Sequence, residues 1–132
     1  MVDIKIDEDR IKELSKKYNL KLLVLHGSYA KGCATPKSDI DIGILGGREI
    51  NGNDYSGILN DFGALFGDKF DPAFLDGADP MICYHAALRG KPLFEGKRGD
   101  FAAFKLQSIA RYQDTKQFRE MEKTYIKRIA AK

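Results

Sequence analysis

Hydrophobic positions change period several times along this chain, and each change marks an element. Ile4 and Ile6 alternate briefly, after which Ile11, Leu14 and Tyr18 recur at three- and four-residue spacing, the mark of an amphipathic helix. Acids open that stretch and lysines close it, as the helix dipole favours, and Asn19 suits its end. Leu20–His26 is a short apolar run closed by glycine, which predicts a fully buried strand. Gly27-Ser28 turns the chain, and Tyr29-Ala30-Lys31 starts a short helix that Gly32 ends. A strict alternation follows, with Ile40, Ile42 and Ile44 on one face of a second strand and Asp39 and Asp41 on the other.

The rest of the chain reads in the same way. Ile58, Leu59, Phe62, Leu65 and Phe66 share one helical face ahead of Gly67. Gly57 and Gly63 weaken that helix by up to about 1 kcal/mol each, so its packing must hold it. Lys69–Leu75 reads as a third strand, and Pro72 predicts that it lies at an edge. Asp79-Pro80 opens another helix, with Met81, Cys83 or Tyr84, and Leu88 as its apolar side and Gly90 as its end. Lys91–Phe94 reads as a short last strand. From Asp100 the chain is helical to its end, through Phe101, Phe104 and Leu106 and then Phe118, Met121, Tyr125 and Ile129, with a break expected near Tyr112-Gln113-Asp114.

The order α-β-(short α)-β-α-β-α-β-α predicts an α+β domain, with a core over residues 1–99 and a C-terminal helical extension of the same domain over residues 100–132. The pattern alone leaves several sheet orders open.

Composition narrows the function classes. A chain of 132 residues is one compact domain with length for a real core. Its net charge of +3, without dense basic runs, gives no expectation of direct nucleic-acid binding. No apolar stretch approaches the roughly 20 residues that span a bilayer, and MVDIKIDEDR lacks the basic start and apolar core of a secretory leader. The expected location is cytoplasmic, where Cys33 and Cys83 stay reduced and unpaired. Cys83 and His85 are too few for a zinc site. The tail carries Lys116, Arg119, Lys123, Lys127, Arg128 and Lys132; a solvated face matched to the helix dipole and a partner-docking face both stand as readings. Self-association is left open.

The candidate chemistry lies in Leu23–Leu45, LVLHGSYAKGCATPKSDIDIGIL. A strand–glycine–helix junction presents backbone N–H groups and the positive end of a helix dipole to an anion, and Ser28 adds a hydroxyl donor. Asp39 and Asp41 project together from one pleat, about 6–7 Å apart at their α-carbons, and can share hard cations through oxygen.

Gly-Ser, ten intervening residues, then Asp-x-Asp, each abutting an apolar strand, resembles the signature of the DNA polymerase β nucleotidyltransferase superfamily. The match is to its small stand-alone branch, the minimal nucleotidyltransferase (MNT) domain. Gly27, Ser28, Asp39 and Asp41 fill the fixed positions, and Ala30, Gly32 and Ser38 fit the usual companions. The resemblance implies a small mixed sheet with the two motif strands in its middle, helices on one face and the metal site on the other. It also implies a third carboxylate on a neighbouring strand. Asp71, after Phe70 and ahead of Asp79-Pro80, suits it, although Pro72 stands where the family usually has an aliphatic residue; Asp76 is the fallback.

By the same resemblance Asp39, Asp41 and Asp71 are the catalytic and Mg²⁺-binding residues, Gly27 and Ser28 bind the nucleotide, and ATP is the substrate. Stand-alone MNT proteins are typically antitoxins of HEPN-domain ribonuclease toxins, silencing them by adenylylating a tyrosine. The toxin's own signature, an arginine with a histidine four to six residues on, is absent from around His26 and His85. The expected function is therefore transfer of AMP to an acceptor hydroxyl, with a HEPN toxin as partner. The alternatives are a small-molecule nucleotidyltransferase of the aminoglycoside-modifying kind and a binding-only antitoxin.

Overall fold

The computed structural model describes residues 5–131. Ile4 lies outside them; Ile6 packs, partly buried, against the core without forming a strand. Nine elements follow in the expected order: α1 (Glu8–Lys17), β1 (Leu20–His26), α2 (Gly27–Lys31), β2 (Ile40–Gly46), α3 (Gly52–Phe66), β3 (Phe70–Phe74), α4 (Pro80–Arg89), β4 (Lys91–Glu95) and α5 (Asp100–Ala130).

Local chemistry sets the boundaries. Asp7 caps α1 by accepting from the Arg10 N–H at 3.1 Å, and Asn19 leaves the helix in the left-handed conformation that asparagine tolerates (φ 53°). Asn51 caps α3 through the Asp54 N–H at 2.8 Å, and Asp79 caps α4 through that of Met81 at 2.8 Å. Despite its two glycines, α3 is held by fully buried Ile58 and Phe62.

The strands form one mixed sheet in the order β3-β2-β1-β4. β1 pairs antiparallel with β2 and β4, and β2 pairs parallel with β3. The motif strands are thus central, and β3, with Pro72, is an edge as the proline requires. Leu23, Leu25, Ile40, Ile42 and Ile44 pack against Ile11 and Leu14 of α1 and Ile58 and Phe62 of α3. A bulge between Leu20 and Leu22 shifts Leu20 to that face and Leu22 to the opposite one. Burying each such leucine or isoleucine contributes about 1.5–3 kcal/mol.

Helices are not confined to one face. On the second face Leu22 and Val24 pack under Cys83, Ala86 and Ala87 of α4 and Phe104 of α5, while the carboxylates occupy the β2–β3 half. The buried side of α4 also differs from the sequence expectation, since Met81 and Leu88 are 43% and 41% exposed. Small Ala86 and Ala87 let the helix lie close on β1, which turns its larger side chains outward.

The break expected near Tyr112 does not occur. Tyr112 stacks on Tyr84 with ring centroids 3.9 Å apart, and the Arg119 guanidinium lies 4.3 Å over its ring. Arg111 reaches the Ala78 carbonyl at 3.4 Å. The polar stretch is the seam between α4 and α5, and the helix runs through it.

Gly90 ends α4 hard against Val24 of β1. A Cβ there would lie 2.0 Å from the Ala86 carbonyl oxygen and 2.4 Å from Val24 Cγ1. Gly90→Ala is expected to cost about 2–3 kcal/mol, read as a lower urea midpoint with an unchanged m-value.

Candidate active site

The β1–β2 register sets His26 opposite Asp41, and the β2–β3 register sets Asp41 beside Asp71. His26, Asp41 and Asp71 therefore form one row across three adjacent strands, on the face away from the isoleucines. Asp39 stands two residues ahead of Asp41, just before β2 begins. It is delivered by a self-bonded turn in which the Thr35 N–H donates to Ser38 Oγ at 2.8 Å and the Ser38 N–H to the Thr35 carbonyl at 3.0 Å.

Asp71 neighbours Asp41 across the β2–β3 ladder, and the Asp41 carboxyl is pushed up to about 6. Partial burial is the largest cause, followed by Asp71 and then by the charge of Asp39. His26 is shifted the other way: burial holds its imidazole below the usual value, partly offset by the Asp71 charge. Its Nε2 is buried without a hydrogen-bond partner among the described residues.

Gly27 sits directly against this row. At φ +70° it occupies the left-handed region, and a Cβ there would lie 2.0 Å from Asp41 Oδ2. Only a glycine lets the head of α2 meet the carboxylate. Ser28 follows within α2, whose first turn has no side-chain cap, and its carbonyl accepts the Cys33 N–H at 3.0 Å. Tyr29 packs against the core and Lys31 is exposed.

The fallback carboxylate is elsewhere. Asp76 Oδ2 accepts the Gly46 N–H at 2.8 Å, at the far end of β2, about 16 Å from Asp41 on the strand rise. Asp71, not Asp76, is the carboxylate brought to the pair.

Two neighbouring carboxyls, with Asp39 two residues ahead of Asp41 on the chain, offer oxygen ligands that suit a hard divalent ion. Among the described residues no three acidic, imidazole or thiol groups form a ready cage. Mg²⁺ ordinarily takes one or two carboxylates and fills its shell with water and phosphate oxygens, so the donor set fits it. A concavity of about 360 Å³ lined by Leu20, Gly47, Gly96 and Asp100 lies at the opposite end of β1.

Comparison with known proteins gives the family. Residues 9–99 match the family model described as polymerase β, nucleotidyltransferase. The chain belongs to that nucleotidyltransferase family. Within it, the chain is a homologue of the MntA antitoxins of HEPN/MNT toxin–antitoxin pairs. It is 30% identical over 126 residues to the protein adenylyltransferase MntA of Aphanizomenon flos-aquae, spanning 88% of this chain and 82% of that one. It is 28% identical over 94 residues to the protein adenylyltransferase MntA of Shewanella oneidensis, spanning 71% and 67%. The fold superposes on a toxin–antitoxin crystal structure with AMP-PNP at a TM-score of 0.76, with 24% identity over 92% of this chain and 98% of that one. It superposes at 0.70, with 22% identity over 90% and 94%, on a complex of the MNT antitoxin with the tri-AMPylated Shewanella oneidensis HEPN toxin.

A carboxyl that holds its proton to higher pH in the folded state than in the unfolded chain makes stability fall as pH rises between the two values. For Asp41 that window runs from the ordinary 3.8 to about 6. In EDTA, Asp41→Asn should therefore gain on wild type across this window and unfold at higher temperature by pH 7. The gain is on the order of 1 kcal/mol once screening of this solvent-reached group is allowed for. Thermal melts from pH 4 to 7.5 check it; a difference that stays flat with pH shows the upward shift of the Asp41 carboxyl to be absent.

Proposed function

We propose that this chain transfers AMP from ATP to a tyrosine hydroxyl of a HEPN-family ribonuclease toxin, and is thereby that toxin's cytoplasmic antitoxin. The observation that carries the proposal is Asp41, paired across the ladder with Asp71, pressed against Gly27 at the head of α2. Metal-binding carboxylates and a phosphate-binding turn are in contact there, as nucleotidyl transfer needs. The two MntA relatives carry the name protein adenylyltransferase, which supports AMP as the transferred group.

In this reading Asp39, Asp41 and Asp71 hold Mg²⁺. When bound, Mg²⁺ neutralises the triphosphate and stabilises both the attacking and the leaving oxygen. The N–H groups after Gly27 and the Ser28 hydroxyl donate to the outer phosphates. The acceptor oxygen forms a bond to the α-phosphorus, the α–β bridging bond breaks, and pyrophosphate leaves. Asp71, exposed on the edge strand, accepts the hydroxyl proton. That edge is open to solvent, which favours a side chain of a protein over a small molecule needing enclosure.

Incubation with α-labelled ATP, Mg²⁺ and the co-encoded HEPN protein is expected to label the HEPN protein. A labelled small molecule, or a complex without transfer, would select one of the two alternatives instead. Asp39→Asn and Asp41→Asn should each lower labelling at least about a thousandfold with an unchanged circular dichroism spectrum, and EDTA should stop it. Near-normal labelling by either variant removes the assignment.

A further inference from the structure

His26 is the member of the row across β1, β2 and β3 that the proposed reaction leaves without a task. It ends β1 directly opposite Asp41. Side chains opposite one another on an antiparallel ladder leave the same face, with Cβ atoms about 4.5–5.5 Å apart. Neighbouring residues agree on which face that is. Leu25 is buried with Ile42 under α1 and α3, whereas Val24 packs under α4. The imidazole therefore leaves the sheet beside Asp41, one pleat beyond the valine that α4 covers.

Its Nε2 is closed to solvent and has no hydrogen-bond partner among the described residues. A buried polar atom left in this way costs free energy that an apolar ring of the same shape does not. The other such atom among the described residues, Ser15 Oγ, lies in α1, where a serine can turn to the carbonyl one turn back. The Nε2 of a histidine is too far along its ring to reach its own backbone. What faces it across the ladder is acid: Asp41 opposite, and next along the row Asp71, whose charge acts on the imidazole. An ionised carboxylate only accepts, so the nitrogen it can satisfy is one that carries the proton.

The need is mutual. The carboxylates of Asp7, Asp76, Asp79 and Asp100 each accept a backbone N–H, and among the described residues Asp41 accepts none. A metal-ligating carboxylate is ordinarily held by such a bond, which orients it toward the ion. The χ2 torsions of histidine and aspartate are both soft, so the pair can close without moving the backbone.

We propose that His26 is a positioning residue, donating its Nε2–H to the Asp41 carboxylate and so fixing the oxygen that Asp41 turns to the ion. It rests on the reading of Asp39, Asp41 and Asp71 as the metal site.

Mn²⁺ binding to the full chain, followed by the electron spin resonance of the free ion, tests it. His26→Phe keeps a ring and removes its nitrogens, and should bind Mn²⁺ about ten- to a hundredfold more weakly. In EDTA the same variant should unfold at a temperature no lower than wild type, because a buried orphan nitrogen has gone. His26→Gln keeps an N–H donor at similar reach and should recover most of the lost affinity. Unchanged Mn²⁺ affinity in His26→Phe makes the histidine a packing residue and overturns the proposal. A directly bonded nitrogen in the hyperfine spectrum of the Mn²⁺ complex makes it a ligand, and overturns it too. Nitrogen-15 spectra of wild type saturated with Mg²⁺ keep the test open if the variants fold poorly. There the imidazole proton should sit on Nε2 and be shifted downfield by its hydrogen bond; a proton on Nδ1 overturns the proposal. Mn²⁺ bound equally by wild type and Asp41→Asn sinks the carboxylate reading itself. Loss of binding in Asp41→Asn beside unchanged binding in His26→Phe sinks the positioning role alone.

Discussion

The constraint on which the site depends is the register of β1 against β2. Leu23 pairs with Ile44 and Leu25 with Ile42, and these four are buried under α1 and α3. Their alternates, Val24 with Gly43 and His26 with Asp41, must then face the other way. A slip of one residue would turn Asp39 and Asp41 into the aliphatic core, at a cost of several kcal/mol for each buried charge. The same apolar packing that stabilises the sheet therefore aims the carboxylates.

What is aimed there does not help the fold. Asp41 is partly desolvated and faces the like charge of Asp71, while Gly27 stands in a backbone conformation few residues adopt. His26 keeps a ring nitrogen unpartnered. These are local losses in a domain whose α1, α3 and α4 are otherwise capped and packed. Such losses gather at functional sites because the surrounding structure over-determines them.

Much of this was legible in the sequence because periodicity is a strong signal where one face is buried. Leu20–His26 and the Ile40/Ile42/Ile44 alternation give both central strands, and Pro72 gives the edge. Asp-x-Asp after Gly-Ser leads to the carboxylate pair by the same route. Tertiary choices were less legible. Apolar spacing in α4 favoured Met81 and Leu88, but closeness to β1 rewards alanine, and size rather than hydrophobicity decided the buried side. The polar Tyr112-Gln113-Asp114 reads as a break until Tyr84 and Arg119 are seen stacking on Tyr112. The choice between Asp71 and Asp76 needed the β2–β3 register, which no local pattern carries. The contact of Gly27 with Asp41 was equally invisible, since it joins a turn to a strand across a ladder. Thr35-Pro36-Lys37-Ser38 was the one missed signal with a local form, a turn whose hydroxyls bond back on themselves.

Pro72 has an effect beyond ending the sheet. Lacking a backbone N–H, it denies an incoming strand one of the donors needed to extend the ladder next to Asp71. The border of the sheet thus stays bare at the position where, in the reaction proposed above, the acceptor arrives. An open rim of this kind would set no ceiling on the bulk of an acceptor: a folded protein can present one side chain over the edge while the rest of its mass stays in solvent.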